Sequence, residues 1–485
     1  MKSARSLGWV GLAWLVMLVG VVAAANAEGP SSPGPRGVVQ VDLPEPGDGS
    51  SGSAMASDRS SAPDPNVEQA AFRPCLKCRR RPCPPGTHEA APEVVEGARP
   101  GKEPGVGPTE PKPGAVAPEG PAAPPWALAS EIGAAGGPAS AAPYMIGDFF
   151  GGGARFFGAS TLEGIQNASV GEAGGNRRFK IVEGNSPIPQ DRLFFTFSHF
   201  VNPVVNIREQ PVDVNSYTFG VEKTLFGDDL TSVEFRLPFS SGYDSTQSLD
   251  PAASLAGTEF GDLALAFKRV IFRREHFLVS TGLALVFATG RDYSIVGEDP
   301  FFQSGVPVTL MSVQNQATHL QPFLGAAWRP NDRLSFLFFT QWDFDARGNA
   351  VFMRDQGTLS QVGVFQEQNL WFIDFNVAYW LYRNPCARWI TGVAPILELH
   401  YATTMQNEDQ VTGPLGTVGL PPDLETPGPP GSGPHGRRDV LDLTAGLQFE
   451  LGRCSSLTVA GVAPLKSGLN RDYDAEFVVQ FNRRF

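Results

Sequence analysis

The chain has 485 residues, with 38 Lys and Arg against 50 Asp and Glu, so its formal net charge is -12 at pH 7. A chain this acidic is a poor general partner for nucleic acid, which binds basic surfaces. Its 43 Pro are concentrated in the first part of the chain and its 34 Phe in the second, so the two parts belong to different structural classes.

Residues 1–27 are typical of an export signal. Lys2 and Arg5 precede an uncharged apolar run from Leu7, and the small residues Ala25-Asn26-Ala27 form a cleavage site before Glu28. We predict a signal peptide over 1–27. The alternative is a retained membrane anchor, because the apolar run is nearly long enough to span a bilayer.

Residues 28–143 are rich in Pro, Gly and Ala, and they rarely have two large apolar residues next to each other. Such a segment buries too little apolar surface to offset its ordering entropy, so we predict a disordered periplasmic linker. No later segment has the ~20 apolar residues of a membrane helix, so only a closed β-barrel could place the rest of the chain in a membrane.

The linker contains three cysteines, Cys75, Cys78 and Cys83, whose role the sequence leaves open. A local disulfide is the favoured interpretation in an oxidising compartment, against no specific role, intermolecular bonding or metal binding. No second Cys pair follows, and His88 alone is a poor fourth ligand. A basic cluster lies among them, either a solvated charge run or a contact for an anionic cell-wall polymer or lipid head group: Lys77, Arg79, Arg80 and Arg81.

Short alternating runs begin at Tyr144. In "DVLDLTAGLQFEL" (439–451), Leu441 and Leu443 share one parity while Asp442 lies on the other, which indicates a strand with one apolar and one polar face. The C-terminal run "DYDAEFVVQFNRRF" (472–485) divides in the same way, from Tyr473 onward. The pattern predicts fourteen strands, at about 155–161, 177–183, 191–200, 214–225, 231–238, 260–271, 276–288, 320–329, 333–344, 370–382, 388–401, 439–451, 456–463 and 473–485.

The connections between these strands alternate between short and long. Short turns such as 226–229, 272–275 and 329–332 contrast with long loops such as 290–319 and 402–438. This alternation is typical of an outer-membrane barrel, with tight periplasmic turns and long outer loops. We therefore predict an all-β, transmembrane, antiparallel up-and-down barrel of 12–14 strands over residues 144–485. The first two strands have the weakest pattern, so 144–183 forms either them or an internal plug.

The last strand resembles the C-terminal assembly signal of bacterial outer-membrane barrels, in which alternating apolar residues end in Phe: Phe477, Val479, Phe481 and Phe485. The stretches "YMIGDFFGG" (144–152) and "FKIVEGNSPIPQDRLFFTFSHF" (179–200) resemble the opening of a porin-like barrel family, mostly uncharacterised exported proteins. The resemblance implies the outer membrane of a Gram-negative-type envelope, with membrane lipid and the barrel-assembly machinery as partners. It implies no substrate and no catalytic residue.

If the apolar parity faces lipid, the other parity lines a pore and sets its selectivity. We expect passive passage of small solutes with a modest preference for cations. The alternative is that the charges pair with one another and only keep the lumen wet. The expected pore-lining residues are Arg192, Glu222, Glu234, Arg236, Lys268, Asp374, Glu398, Asp442, Glu450, Asp474 and Glu476.

Two other functions remain open. Inward aromatic residues, Phe194, Phe339, Phe372 and Trp380, would suit uptake of hydrophobic or aromatic compounds. The Pro-rich linker, at about 3 Å per residue when extended, could instead tether a structural anchor to the cell wall.

The sequence indicates neither an enzyme nor a cofactor or metal site. Ser198 and His199 are adjacent on a predicted strand and face opposite sides, so they cannot readily act as nucleophile and base. "GSGPHG" (431–436) has no strand before it and no helix after it, which excludes a nucleotide loop. "DFDARG" (343–348) begins like a calcium loop but places Arg347 at a ligand position.

Cys386 and Cys454 lie in predicted short turns on the same side of the barrel. We expect a disulfide between them, provided that their Cα atoms lie within about 7 Å. The alternative is two unpaired turn residues.

Overall fold

The computed structural model describes residues 142–148, 151, 154–159, 168–170, 178–227, 229–250, 257–300, 305–407, 409–419 and 437–485. The predicted signal peptide, residues 28–141 of the predicted linker with their cysteines and basic cluster, and "GSGPHG" lie outside the described residues. The expectations for them therefore stay predictions. Residues 142 and 143, the last two of the predicted linker, are described and buried. Within the described ranges, no helix is long and apolar enough to cross a membrane.

The described chain is built from strands and one short 3-10 turn at Gly468–Asn470. The strands are β1 Arg155–Gly158, β2 Ala168–Ser169, β3 Arg192–Val205, β4 Pro211–Leu225, β5 Thr231–Ser241, β6 Thr246–Ser248, β7 Thr258–Phe260, β8 Leu263–Arg273, β9 Phe277–Phe287, β10 Tyr293–Gly297, β11 Val308–Gln314, β12 His319–Trp328, β13 Leu334–Asp345, β14 Asn349–Asp355, β15 Thr358–Phe365, β16 Leu370–Tyr379, β17 Tyr382–Arg383, β18 Ile390–Thr404, β19 Val411–Gly413, β20 Gly416–Val418, β21 Asp439–Leu451, β22 Ser455–Pro464 and β23 Ala475–Arg484.

Twelve of these strands close into an antiparallel barrel in which each barrel strand pairs with the next barrel strand along the chain, and the last pairs with the first. The ring runs β3-β4-β5-β8-β9-β12-β13-β16-β18-β21-β22-β23. It closes where β23 pairs with β3, with Phe481 opposite Phe195 and Gln480 opposite Thr196. The prediction of an all-β up-and-down barrel is confirmed, with twelve strands.

The two N-terminal strands of the fourteen-strand prediction are not part of the barrel. Residues 155–158 pair instead with β2 and β20 in a small separate sheet, and residues 178–183 are not a strand. Residues 184–190, between the predicted strands 177–183 and 191–200, therefore do not connect two barrel strands. These segments lack a barrel neighbour because β3 already pairs on both sides.

The two ends of the barrel differ. At one end the connections are short, as at 226–230, 274–276 and 452–454, and Phe485 closes that end by donating its N–H to the Asp191 carbonyl oxygen at 3.1 Å. At the other end, 288–318 and 346–369 contribute to a second, five-stranded sheet, in the order β15-β14-β11-β10-β6. We call that sheet, together with the four-stranded sheet β19-β20-β1-β2, the cap.

Side chains alternate along each barrel strand between the interior and the surface. In β21, Asp442, Thr444 and Gln448 are buried, while Leu441 and Leu443 are partly exposed on the other face. Large apolar side chains dominate the outer face, and many of them are at least 36% exposed, among them Leu193, Phe219, Phe267, Leu283, Leu324, Trp371, Phe375, Leu399 and Phe481. The barrel is thus apolar outside and polar inside, as a lipid-facing barrel requires.

Aromatic residues mark both rims of the outer face. Trp342 and Trp371 stack at 6.4 Å near the long-loop end, and Trp328 stacks on Phe336 at 5.1 Å near the short-turn end. Trp389, beside a short turn, is 72% exposed. Amphipathic rings at two levels are typical of residues that sit at the two surfaces of a membrane.

Candidate functional site: the barrel interior

Most of the expected pore-lining residues lie on the inner wall and are almost completely buried. None of the following is more than 8% exposed: Arg192, Glu222, Glu234, Arg236, Lys268, Asp374, Glu398, Asp442, Glu450 and Glu476. Because isolated buried charges are costly, each needs a partner of opposite charge or several hydrogen bonds.

Asp474 differs from the expectation. The last strand begins only at Ala475, and Asp474 lies in the connection before it, where it pairs with Arg471 and accepts a hydrogen bond from Asn202 Nδ2 at 2.8 Å. Its neighbour Tyr473 is 2% exposed and donates its hydroxyl to the Asp148 carbonyl oxygen at 2.7 Å. The strand parity therefore does not extend to 473 and 474, and their sides are reversed.

The lumen is filled by two segments from the N-terminal side of the barrel, 142–148 and 178–190, which we call the plug. The segments contact each other, since Met145 N–H donates to the Asn185 carbonyl oxygen at 2.9 Å. Met145, Ile146, Ile181 and Val182 are at most 1% exposed. Burial of this kind inside a polar wall requires the plug backbone to find hydrogen-bond partners on that wall.

The wall provides these partners mainly through long amide and carboxylate side chains. Tyr144 N–H donates to Gln448 Oε1 at 3.0 Å and Ile181 N–H to Gln341 Oε1 at 2.7 Å, while Gln480 Nε2 donates to the Ile146 carbonyl oxygen at 2.6 Å. The plug is therefore held in one register by contacts from several strands around the ring.

One half of the wall is basic, on β3, β5 and β8. Arg192 pairs with Glu222 at 2.7 Å and Glu234 at 2.9 Å, and Lys268 pairs with Glu222 at 2.9 Å. The same cations also reach plug oxygens: Lys268 Nζ donates to the Ser186 carbonyl at 2.7 Å and Arg236 Nη2 to the Ile181 carbonyl at 3.1 Å. This half of the wall thus binds the carbonyl groups of the plug.

The opposite half of the wall is acidic, on β16, β18 and β21, and it faces the plug cation Lys180. Lys180 Nζ lies 2.7 Å from Asp374 on the wall and 2.5 Å from Asp148 in the plug. His400 Nδ1 lies 2.8 Å from Asp374 Oδ1, and its Nε2 lies 3.0 Å from Glu398 Oε2. The plug therefore presents its cation to the acidic half and its carbonyls to the basic half.

The titration of the plug groups follows from these contacts. Burial opposes the charge on Lys180, but the Asp148 and Asp374 carboxylates outweigh it and hold the pKa of Lys180 above its ordinary value. Burial raises the pKa of Asp148, yet His400 and Lys180 more than offset that effect, so the pKa of Asp148 lies below its ordinary range. Lys180 and Asp148 therefore stay an ion pair at neutral pH.

A second plug cation lies near the long-loop end. Arg178 Nη2 is 2.8 Å from Asp343 Oδ2, and His319 Nδ1 is 2.9 Å from Asp343 Oδ1. Beside Arg178 is a cavity of about 20 Å³, enough for about one water molecule, lined by Arg178, Gln368, Leu370, Ala402, Thr404, Arg438, Val440 and Asp472. This cavity is too small for a solute larger than water.

The inward aromatic residues pack across the wall onto glycines of neighbouring strands. A Cβ on Gly220 would lie 2.0 Å from Phe194 Cζ, one on Gly325 would lie 2.9 Å from Phe339 Cε1, and one on Gly392 would lie 2.7 Å from Trp380 Cζ3. Each ring thus occupies the space that a side chain at the glycine would need. Phe372 instead lies beside Lys180, whose Nζ is 5.3 Å from the ring centroid.

One set of carboxylates and a histidine has the spacing of a metal site. The ligand atoms of Asp148, Asp374 and His400 lie within 4.8 Å of one another. The Lys180 ammonium, however, already lies in contact with both carboxylates. This geometry fits an ammonium group, which supplies the positive charge that a metal ion would otherwise bring.

Strand parity identified the wall but not the residues that make the plug contacts. His400, Gln341 and Gln480 were available from the polar parity, but their plug partners Asp148, Ile181 and Ile146 are distant in sequence. Their partners lie up to 334 positions away in the chain. A run of inward Gln and His residues, which can both donate and accept, is the signal that could have suggested a backbone inside the barrel.

The residues of the expected assembly signal and of the expected disulfide lie at the barrel surface or the short-turn end. Phe477 and Phe481 point outward and are partly exposed. Cys386 and Cys454 are each disulfide-bonded. Their turns are close, because Gly452 N–H donates to the Trp389 carbonyl oxygen at 2.8 Å.

No family model and no curated protein matches this chain. Among solved structures, the chain is similar to the NanC porin at 10% sequence identity and a TM-score of 0.33, over 61% of this chain and 98% of that chain. It is similar to an outer-membrane channel from Pseudomonas putida F1 at 9% identity and a TM-score of 0.36, over 61% of this chain and 96% of that chain. It is also similar to the CymD monoaromatic hydrocarbon channel at 9% identity and a TM-score of 0.35, over 61% of this chain and 89% of that chain. TM-scores below 0.5 do not establish a shared fold. The assignment of the barrel therefore rests on the pairing of its own strands.

Proposed function

We propose that this chain is an outer-membrane, porin-like channel for the passive passage of small solutes, and that its own plug closes the lumen in the present state. The observation that carries the proposal is the division of each barrel strand into an apolar outer face and a polar, charged inner face, most complete in β21. A closed barrel of this kind satisfies every backbone group in lipid, and its inner face suits water and polar solutes.

The orientation and the targeting belong to the same proposal. We expect the short turns and Phe485 to face the periplasm and the cap to face outward, as in other barrels of this design. Export would use residues 1–27, so the mature chain should begin at Glu28. N-terminal sequencing of the protein purified from outer-membrane fractions tests this expectation. A cleaved signal peptide would leave Glu28 as the first residue, whereas a retained anchor would leave Met1 or Lys2.

The plug contacts support a channel that opens when the plug moves. Its polar contacts with the wall are hydrogen bonds and ion pairs that water could replace. The inward aromatic rings lie against glycines or beside Lys180. This packing accounts for their position without a route for aromatic solutes.

The experiment is a flux assay in proteoliposomes that compares small sugars and salts with toluene-like aromatics, using the full chain and a variant with a weakened plug, Glu398→Ala. We expect the variant to pass sugars and salts faster than the full chain and to pass aromatics no faster than empty liposomes do. Selective acceleration of aromatics would favour the uptake barrel. No acceleration of any solute would favour a structural anchor.

A further inference from the structure

We propose that the acidic half of the barrel wall is a binding site for the primary ammonium group of an organic solute, and that Lys180 occupies it as a tethered competitor while the plug is in place. The inference rests on the proposed channel function, and it names the class of solute.

The wall residues of this site form one row across three neighbouring strands. Asp374 on β16 is paired in register with His400 on β18, and His400 with Asp442 on β21. Glu398, two residues before His400, points to the same side. The row therefore belongs to the barrel and would remain when the plug leaves.

The occupant of the row in the closed state is an alkylammonium group. Lys180 Nζ contacts Asp374 at 2.7 Å and lies 5.3 Å from the centroid of the buried Phe372 ring. A carboxylate on one side and an aromatic face on the other favour an organic cation over a strongly hydrated metal ion. The second carboxylate in contact, Asp148, belongs to the plug and would leave with it.

The wall also offers acceptors that Lys180 does not use. Within the described part of the chain, Asp374 Oδ2, Asp442 Oδ1 and Thr444 Oγ1 accept or donate no hydrogen bond, although these residues are at most 1% exposed. An ammonium group has three donors and no acceptor. A free solute that is not constrained by the plug backbone could therefore meet more of these acceptors than Lys180 does.

The experiment removes the tethered cation and adds it back as a free molecule. Lys180→Ala deletes the atoms from Cγ to Nζ, which correspond to n-propylammonium. In the purified full-length variant, n-propylammonium should raise the urea midpoint of unfolding, and at ten times its dissociation constant the folded-to-unfolded ratio should rise about tenfold. Neutral 1-propanol, of the same size, should not.

Two variants serve as controls. Lys223→Ala removes a lysine that is 54% exposed at the short-turn rim, and its midpoint should not respond to n-propylammonium. Lys180→Ala combined with Asp374→Asn should lose most of the response, because the wall carboxylate is gone. Equal effects of n-propylammonium and 1-propanol, or an undiminished response in the double variant, would overturn the proposal.

The readout separates this inference from the proposed function, because it measures binding rather than flux. A saturable n-propylammonium effect in a protein that conducts nothing would keep the site and reject the channel. Conduction by a protein that shows no n-propylammonium effect would keep the channel and reject the site. If Lys180→Ala folds poorly, n-propylammonium added during refolding should restore the folded fraction, and a failure to do so would equally overturn the proposal.

Discussion

Glu398 on β18 binds two backbone N–H groups of the plug. Its carboxylate accepts the N–H groups of Ile146 at 2.9 Å and Gly147 at 3.1 Å, as well as Asn376 Nδ2 at 2.6 Å. Two backbone donors of the plug therefore depend on one side chain of β18. A buried N–H without an acceptor costs about 1–3 kcal/mol.

We expect Glu398→Ala to loosen the plug without breaking the barrel. The loss of about 1–3 kcal/mol per amide should increase the hydrogen-exchange rate of the Ile146 and Gly147 amides at least about fivefold. Leu399→Ala, on the outer face of the same strand, is the matched control. Equal exchange rates in Glu398→Ala and the wild type would show that the plug is held elsewhere.

Asp262 links the long connections before β8 and after β9. Its Oδ1 accepts the N–H groups of Thr289 and Gly290, each at 2.8 Å, and Asn315 Nδ2 at 2.8 Å. Burial, only partly offset by these donors, raises the pKa of Asp262 to about 6 from 3.8. The carboxyl group thus holds its proton in the folded loops at a pH where the unfolded loops have lost it.

The stability of the folded loops therefore depends on pH. Below about pH 4 the Asp262 carboxyl group is protonated in both the folded and the unfolded loops, and between about pH 4 and 6 it is protonated only in the folded loops. The free energy of local unfolding therefore falls by at most about 3 kcal/mol as the pH rises. Exchange protection of the Thr289 and Gly290 amides, corrected for intrinsic rates, should be higher at pH 4 than at pH 7. Asp262→Asn should remove the difference, and a persistent difference would contradict the assignment.

At the scale of the strand, neighbouring strands fit because a ring on one lies over a glycine on the next. Phe194 on β3 is opposite Gly220 on β4. Its ring also lies 4.4 Å from the Arg192 guanidinium and 5.5 Å from that of Arg236, measured to the ring centroid. The ring is therefore fixed from several sides, and it cannot move aside cheaply.

Gly220→Ala should destabilise the barrel by about 1–3 kcal/mol, the usual cost of overpacking, because the new methyl would lie 2.0 Å from Phe194 Cζ. The measurement is the urea midpoint in detergent micelles. Combining it with Phe194→Ala should cost less than the sum of the two single changes, since the clash disappears. Strict additivity would mean that the ring and the glycine do not interact.

The disulfide is also a question of neighbouring turns. We expect Cys386 and Cys454 to be bonded to each other, because their turns lie side by side at the short-turn end and each cysteine is disulfide-bonded. Peptide mapping by mass spectrometry without reduction should find one cross-linked pair that joins these two cysteines. A bond from either of them to Cys75, Cys78 or Cys83 would disprove the pairing and would fasten the linker to the barrel.

The twelve barrel strands could be predicted from the sequence because a period of two is visible wherever one face is apolar. Leu441 and Asp442 fall on opposite faces, as the pattern indicates. The pattern fails where a strand ends, as at Tyr473 and Asp474, which precede the first residue of β23 and do not keep its alternation of faces. It also fails for the plug, whose segments are irregular and find their partners only in the folded barrel.

At the scale of the whole molecule, the charges of plug and wall are complementary. The acidic half meets Lys180 and the basic half meets plug carbonyls. Loss of the plug would therefore leave opposite charges facing one another across an open lumen, which sets a transverse field and favours polar, charged solutes. The account thus depends on one claim, that residues of the plug fill a lumen that is otherwise open.

Single-channel conductance in planar bilayers tests this claim most directly, on the full mature chain and on a chain that lacks residues 28–190. We predict rare, brief openings for the full chain, and for the shortened barrel a steady, larger conductance that is higher for potassium than for chloride. Equal conductance in the two proteins, whether high or absent, would contradict the account.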